Sequence, residues 1–252
     1  MQNKKLSQVF LRDFRAVSDV FGNLDLKGKT VLEIGAGEGA ITKVLAKKAR
    51  RVIALEVDES LIPKLFSKLK KFKNVEIVHA DALQANLDYE NIVGFLPYHI
   101  SAPLIFRILD SKFSEALLCV QKEVALRMVA QPNSSEYSRL SVMVQGKSDV
   151  DFISVVPKEA FSPVPKVDSA LVYLRKANNA KLNDKIISTL FQHRNQSVSK
   201  SLFNSRSSLF PEKNKNEARK AIDSAIPSNL AERRVRTLSL SEFEEISGAF
   251  GS

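Results

Sequence analysis

Residues 30–56 constrain the fold more than any other stretch. A short apolar run, Thr30-Val31-Leu32-Glu33-Ile34, reads as a buried strand, and Gly35, Gly37 and Gly39 follow it at alternate positions. Glycine lets the backbone turn sharply there and lets a ligand approach with no Cβ in the way. A helical pattern covers about 40–49, and a second apolar run, 51–55, ends at Glu56, 21 residues after Gly35. That is one βαβ unit with a carboxylate at the tip of its second strand, placed to accept hydrogen bonds from ribose hydroxyls. The pattern predicts a nucleoside cofactor.

Two cofactor classes fit. Gly35-x-Gly37-x-x-Ala40 suits a dinucleotide, and Glu33-x-Gly35-x-Gly37-x-Gly39 suits S-adenosylmethionine at least as well. The loop alone does not choose between them. Further along, Asp81 closes another apolar strand (75–80), as an acceptor for an adenine amino group or as the N-cap of the next turn. A short strand at 91–94 leads into Phe95-Leu96-Pro97-Tyr98, a proline and an aromatic at the mouth of the same crevice. They suit stacking against a planar base, or a plain turn.

These blocks resemble those of the ribosomal RNA adenine N6,N6-dimethyltransferase family, the KsgA group with its archaeal and eukaryotic counterparts and the related Erm enzymes. Gln8-Val9-Phe10-Leu11 resembles its amino-terminal Gln-x-Phe-Leu block, and residues 33–39 its cofactor loop. Glu56-Val57-Asp58 resembles its ribose-binding acid, Asp81-Ala82 its adenine-binding acid, and Phe95-Leu96-Pro97-Tyr98 its Asn-Leu-Pro-Tyr. Phe161-Ser162-Pro163-Val164-Pro165-Lys166-Val167-Asp168-Ser169 resembles its Phe-x-Pro-x-Pro-Lys-Val-Asp-Ser block, the most specific of the set. A dinucleotide oxidoreductase does not account for that last block, and the block is closer to the small-subunit branch than to Erm.

The resemblance implies an α/β fold: a doubly wound, Rossmann-like methyltransferase domain over 1–176 and a smaller all-helical RNA- or ribosome-binding domain over 181–252. It implies S-adenosyl-L-methionine as cofactor, held by Gln8, Val9, Leu11, Gly35, Gly37, Glu56, Val57, Asp81, Ala82 and Phe95. The substrate would be the small-subunit rRNA in a pre-ribosomal particle, methylated at two adjacent adenosines near its 3′ end. Enzymes of this type extrude the base and clamp it between aromatics. Tyr98 and Phe161 would be the two stacking faces, and the carbonyl of Leu96 one acceptor for the amino group. The second acceptor in the family is an Asn side chain, and here Phe95 takes its place. Losing one such contact costs on the order of 10²- to 10³-fold in rate. Two readings follow: an active dimethyltransferase, or a ribosome-assembly factor of the same fold that methylates slowly or not at all. The intact acids with Tyr98 and Phe161 favour the enzyme.

Composition agrees with a nucleic-acid partner. The net charge is +10, and between Lys43 and Lys73 ten Lys or Arg stand against three acids. Phosphate contacts carry most nucleic-acid affinity, although such a run also suits a solvated helix face. Cys119 is the single cysteine and lies in an apolar strand (116–120), which fits a core residue in a reducing, cytoplasmic setting. His79, His99 and His193 show no ligand spacing, so no metal is expected. No membrane segment is expected, and the chain reads as a monomer.

The pattern alternates between strand and helix from 30 to about 153, which predicts a parallel sheet. A closing edge strand is expected at 170–174 and a linker at 177–180. Helices follow at 182–194, 198–204, 215–226 and 241–250, the last opened by a Ser241/Glu244 capping box.

Overall fold

The computed structural model describes residues 9–177 and 180–250. Gln8, expected at the cofactor, lies outside them. The chain forms two compact units, Met1–Ala125 with Asp149–Lys176, and Leu126–Ser148 with Ala177–Ser252.

The first unit begins with a two-residue strand, β1 (Phe10–Leu11), and a short helix, α1 (Ser18–Asn23). Alternating elements follow: β2 (Thr30–Ile34), α2 (Ala40–Lys48), β3 (Arg51–Glu56), α3 (Ile62–Leu69), β4 (Val75–His79), β5 (Asn91–Phe95), α4 (Ser101–Asp110) and β6 (Glu115–Gln121). After β6 come α5 (Lys122–Met128), α6 (Arg139–Lys147), β7 (Ser148–Val156), β8 (Phe161–Ser162) and β9 (Ser169–Lys176). Seven strands form one sheet in the order β4-β3-β2-β5-β6-β9-β7. The first five run parallel, and β9 runs antiparallel to β6. The chain moves outward from β2 to β4, then returns to the other side of β2 with β5. The crevice between the carboxyl ends of β2 and β5 is therefore the switch point, where open α/β sheets bind ligands.

The central strands are apolar runs because both of their faces are covered. Val31, Leu32, Val52, Ala54 and Val93 are all buried. Leu65 and Leu69 of α3 pack with Ala36 and Ala54, while Phe21, Ile41 and Leu45 belong to the cluster around Val31, Val52 and Phe161.

Two expectations change here. The strand at 170–174 is not an edge: β9 lies between β6 and β7, and β7 closes the sheet. Its residues Ala170, Leu171, Val172 and Leu174 are wholly buried, whereas β7 alternates exposed and half-buried positions along most of its length. The first domain is also not continuous to 176, because Leu126–Ser148 groups with the carboxy-terminal helices. The cause is packing on α6. A Cβ at Gly146 would run into Leu182, and the Tyr137 hydroxyl donates to the Leu238 carbonyl at 2.9 Å.

In the second unit the remaining helices are α7 (Asp184–Gln192), α8 (Val198–Asn204), α9 (Arg206–Leu209), α10 (Lys215–Ala225) and α11 (Leu240–Ala249). Asn183 caps α7, and Asn214 with Glu217 forms a capping box on α10. The capping box of α11 is Ser239 with Glu242, two residues before the expected pair. That register buries Phe243 and Ile246 completely.

Candidate active site

The three glycines of the β2–α2 loop all have positive φ: +78° at Gly35, +55° at Gly37 and +79° at Gly39. A Cβ at Gly35 would come within 3.3 Å of the Phe95 carbonyl oxygen, and one at Gly37 within 3.2 Å of the Phe10 ring. A side chain at Gly35 or Gly37 would press on the tip of β5 or on Phe10 of β1, in a backbone conformation that L residues rarely adopt. Glu56 fastens the loop. Its Oε2 accepts from the Gly37 amide at 2.7 Å and its Oε1 from the Asp58 amide at 2.9 Å. A carboxylate has about four lone-pair positions, so acceptor capacity remains on this buried group.

One cavity of ≈ 220 Å³ gathers the expected residues. Val9, Leu11, Gly35, Gly37, Glu56, Val57, Asp81, Ala82, Phe95, Leu96, Tyr98 and Phe161 all line it. Asp81 is exposed, and its Oδ1 accepts from the Leu83 amide at 2.8 Å. The acid therefore shapes its own turn as well as facing the cavity. At the mouth, the Leu96 amide donates to the Cys119 carbonyl at 3.0 Å. Among the described residues the Leu96 carbonyl accepts no hydrogen bond, and Pro97 removes the next donor.

Glu33 lies at the back of this cavity, 2 % exposed, and its Oε2 has no hydrogen-bond partner among the described residues. Burial pushes its carboxyl up to about 8. The neighbouring Thr42 favours the charged form, and the charge of Glu56 opposes it. At the rim, Glu38 is bridged by Arg12 and Lys68, each at 3.0 Å, and their charges hold its carboxyl below the usual range, the Lys68 bond most strongly.

The aromatic groups differ from a simple two-faced clamp. Phe161 is 4 % exposed, so little of its ring is free for a stacked base. Phe95 packs between Phe21, at 6.2 Å and 29°, and Phe161, at 6.4 Å and 56°. Tyr98 is half-buried, and its hydroxyl shares a 2.8 Å hydrogen bond with the Ser169 hydroxyl. Desolvation raises the Tyr98 pKa, which keeps the phenol neutral.

Sequence comparison decides the family. A model of the ribosomal RNA adenine dimethylase family matches residues 1–246. The chain belongs to that family. The probable ribosomal RNA small subunit methyltransferase A of Methanococcus maripaludis (strain C5 / ATCC BAA-1333) is 44 % identical over 214 residues, covering 81 % of each chain. The corresponding Methanococcus aeolicus protein is 40 % identical over 253 residues, covering 96 % of this chain and 93 % of its own. Among solved structures, a dimethyladenosine transferase from Plasmodium falciparum aligns with TM-score 0.80 at 25 % identity, covering 94 % of this chain and 95 % of its own. The 23S rRNA methyltransferase ErmE aligns with TM-score 0.67 at 27 % identity, covering 96 % and 100 %. The fold is thus the Rossmann-like methyltransferase fold of these two structures.

Four contributors in this family member were not apparent from sequence. Thr42 acts through Glu33, and Ser169, which closes the Phe161 block and itself lines the cavity, holds the Tyr98 hydroxyl; the block does not name that partner. Arg107 of α4 donates to the Ala82 carbonyl at 2.6 Å and to the Ala85 carbonyl at 2.8 Å. A lone arginine in an otherwise apolar stretch, Leu104-Ile105-Phe106-Arg107-Ile108-Leu109, was the available signal. The Arg12–Glu38–Lys68 bridge joins residues up to 56 positions apart and left no pattern to find.

Proposed function

We propose that this protein transfers methyl groups from S-adenosyl-L-methionine to N6 of two adjacent adenosines near the 3′ end of small-subunit rRNA, acting as a single chain on a pre-ribosomal particle. The observation that carries the reading is the convergence, in one cavity at the sheet's switch point, of the Gly35/Gly37 loop, the acids Glu56 and Asp81, and the free carbonyl of Leu96. The small-subunit assignment rests on the names of the archaeal relatives.

The residues fit that cofactor. The glycine loop leaves a cradle that a Cβ would fill, and Glu56 and Asp81 supply acceptors for ribose hydroxyls and an adenine amino group. When bound, S-adenosylmethionine supplies an electrophilic methyl on a sulfonium. The chain's own part is positioning, which supplies much of the rate in a displacement between held groups. Val9, Leu11, Val57 and Ala82 would pack around the nucleoside. Tyr98, held by Ser169, would offer a ring to the target base, and the Leu96 carbonyl would accept one hydrogen of its amino group. The helical unit would contribute to ribosome contact.

The test is incubation of unmethylated small subunits with the protein and labelled cofactor, read by primer extension and mass spectrometry of the rRNA. Two dimethylated adenosines near the 3′ end are expected. Binding to the particle without methylation would favour the assembly-factor reading, for which Phe95 is the one specific observation.

A further inference from the structure

The link between β4 and β5, residues 80–90, has no regular secondary structure, yet it carries Asp81, Ala82 and Leu83 into the cavity. Such a segment needs partners for its backbone groups from elsewhere. Asp81 satisfies part of that need: its side chain accepts from Leu83 N–H, and its carbonyl accepts from Gln84 N–H at 2.9 Å and Ala85 N–H at 2.8 Å. The carbonyls of Ala82 and Ala85 both accept from the guanidinium of Arg107, from two different nitrogens. Arg107 is anchored on α4 by Leu104, Ile105 and Ile108, all fully buried. One rigid fork on a rigid helix therefore spans the turn that Asp81 opens.

We propose that Arg107 is a positioning residue for base recognition, clamping the turn after Asp81 so that this acid discriminates a 6-amino purine in the cofactor. The proposal rests on the reading of Asp81 as the acceptor for that amino group. Arg107 does not touch the cofactor in this account. It acts by fixing the backbone on which Asp81 stands, so that the loop's ordering cost is met before the ligand arrives. Lysine is not an equivalent. Its ammonium can reach two carbonyls from one nitrogen, as Lys48 does with Gly22 and Leu24, but it lacks the two coplanar nitrogens that fix the spacing and direction of the Ala82 and Ala85 carbonyls. The arginine is a selectivity device. A residue that merely stabilised the fold would change affinity for every ligand alike.

Calorimetry with S-adenosylhomocysteine and its 6-oxo counterpart, S-inosylhomocysteine, separates these roles. The wild type should prefer the amino ligand, and Asp81→Ala, which leaves no side-chain acceptor, should abolish the preference. Arg107→Lys should shrink the ratio of the two affinities about tenfold, equivalent to about 1.4 kcal/mol. A wild type without preference would refute the Asp81 reading and the clamp with it. A wild type that discriminates, beside an Arg107→Lys protein with the same ratio or an equal loss for both ligands, would overturn the clamp alone. Hydrogen exchange on the wild type gives a second measurement, independent of how the variant folds. The amides of Leu83, Gln84 and Ala85 should already be protected without ligand. Exchange at the rate of an open loop until ligand is added would also overturn the proposal.

Discussion

Replacing Phe95 by asparagine should exchange stability for turnover. The ring is half-buried and meets two aromatic neighbours, Phe21 at 6.2 Å and Phe161 at 6.4 Å. Each such pair is worth about 0.5–1.5 kcal/mol beyond area burial. Removing a fully buried phenylalanine costs about 3–5 kcal/mol, and the partial exposure of this one lowers that figure. A loss of about 2–4 kcal/mol is expected, a fall in melting temperature on the order of 10 °C for a chain of this size. Against it stands the amide oxygen, which would accept the second amino hydrogen beside the free Leu96 carbonyl. One acceptor of this kind is worth on the order of 10²- to 10³-fold in rate. The assay is single-turnover methylation of unmethylated small subunits with enzyme and cofactor in excess, run below the variant's melting point. Phe95→Leu is the control, since it removes the ring pairs and adds no acceptor. The expected order is Asn faster than Phe, with Leu no faster than Phe. A folded Phe95→Asn protein no faster than the wild type would refute the argument and show that the amino group is served by another acceptor.

Glu56→Ala should weaken cofactor binding about 10- to 100-fold, the value of losing hydrogen bonds to a charged acceptor, and unchanged affinity in calorimetry would remove Glu56 from the site. On the basic face, Lys48 is tied to the carbonyls of Gly22 and Leu24, Arg51 to Glu76 and Lys68 to Glu38, whereas Lys43, Lys47 and Lys64 have no partner among the described residues. Neutralising those three should lower the salt slope of RNA binding by up to about 3, and an unaltered slope would place the RNA on another surface. Glu33 has a folded pKa of about 8, above the ordinary 4.5, so its stabilising contribution is whole below about 4.5 and is lost as pH rises through about 8. Glu33→Gln should therefore melt nearly independently of pH at this site and gain on the wild type, by a few kcal/mol, between pH 5 and 9. Parallel melting curves for the two proteins across that range would contradict it.

What could be read from the sequence was whatever local chemistry forces. Three alternate glycines after an apolar run have few conformations open to them, and an acid 21 residues on can only close the same βαβ unit. The reading failed where two registers satisfied the same local rule. Ser239 and Ser241 each stand three residues before a glutamate, and the choice fell to the one that buries Phe243 and Ile246. It failed again where distant packing decides. The 170–174 run reads equally as an edge or an interior strand, and only β7 pairing beyond it places β9 inside. Arg107 belongs to the same class. Its partners are backbone carbonyls, which carry no sequence signal at all.

The position of Phe95 ties the site to the core. Gly94 precedes it on β5, where a Cβ would come within 2.7 Å of the Leu96 side chain. The end of this strand leaves the Leu96 carbonyl without a donor among the described residues and sets the residue-95 side chain among Phe21 and Phe161. An asparagine there would face an apolar wall on one side and the cavity on the other, which favours presenting its amide to the ligand. Phenylalanine removes that conflict by joining the wall. The substitution therefore strengthens packing at the switch point and withdraws one of two acceptors, while the glycine loop, Glu56 and Asp81 keep their geometry. A defect of that shape should lower turnover and leave cofactor affinity intact. That combination separates it from damage to the loop or to Glu56, which would weaken binding first.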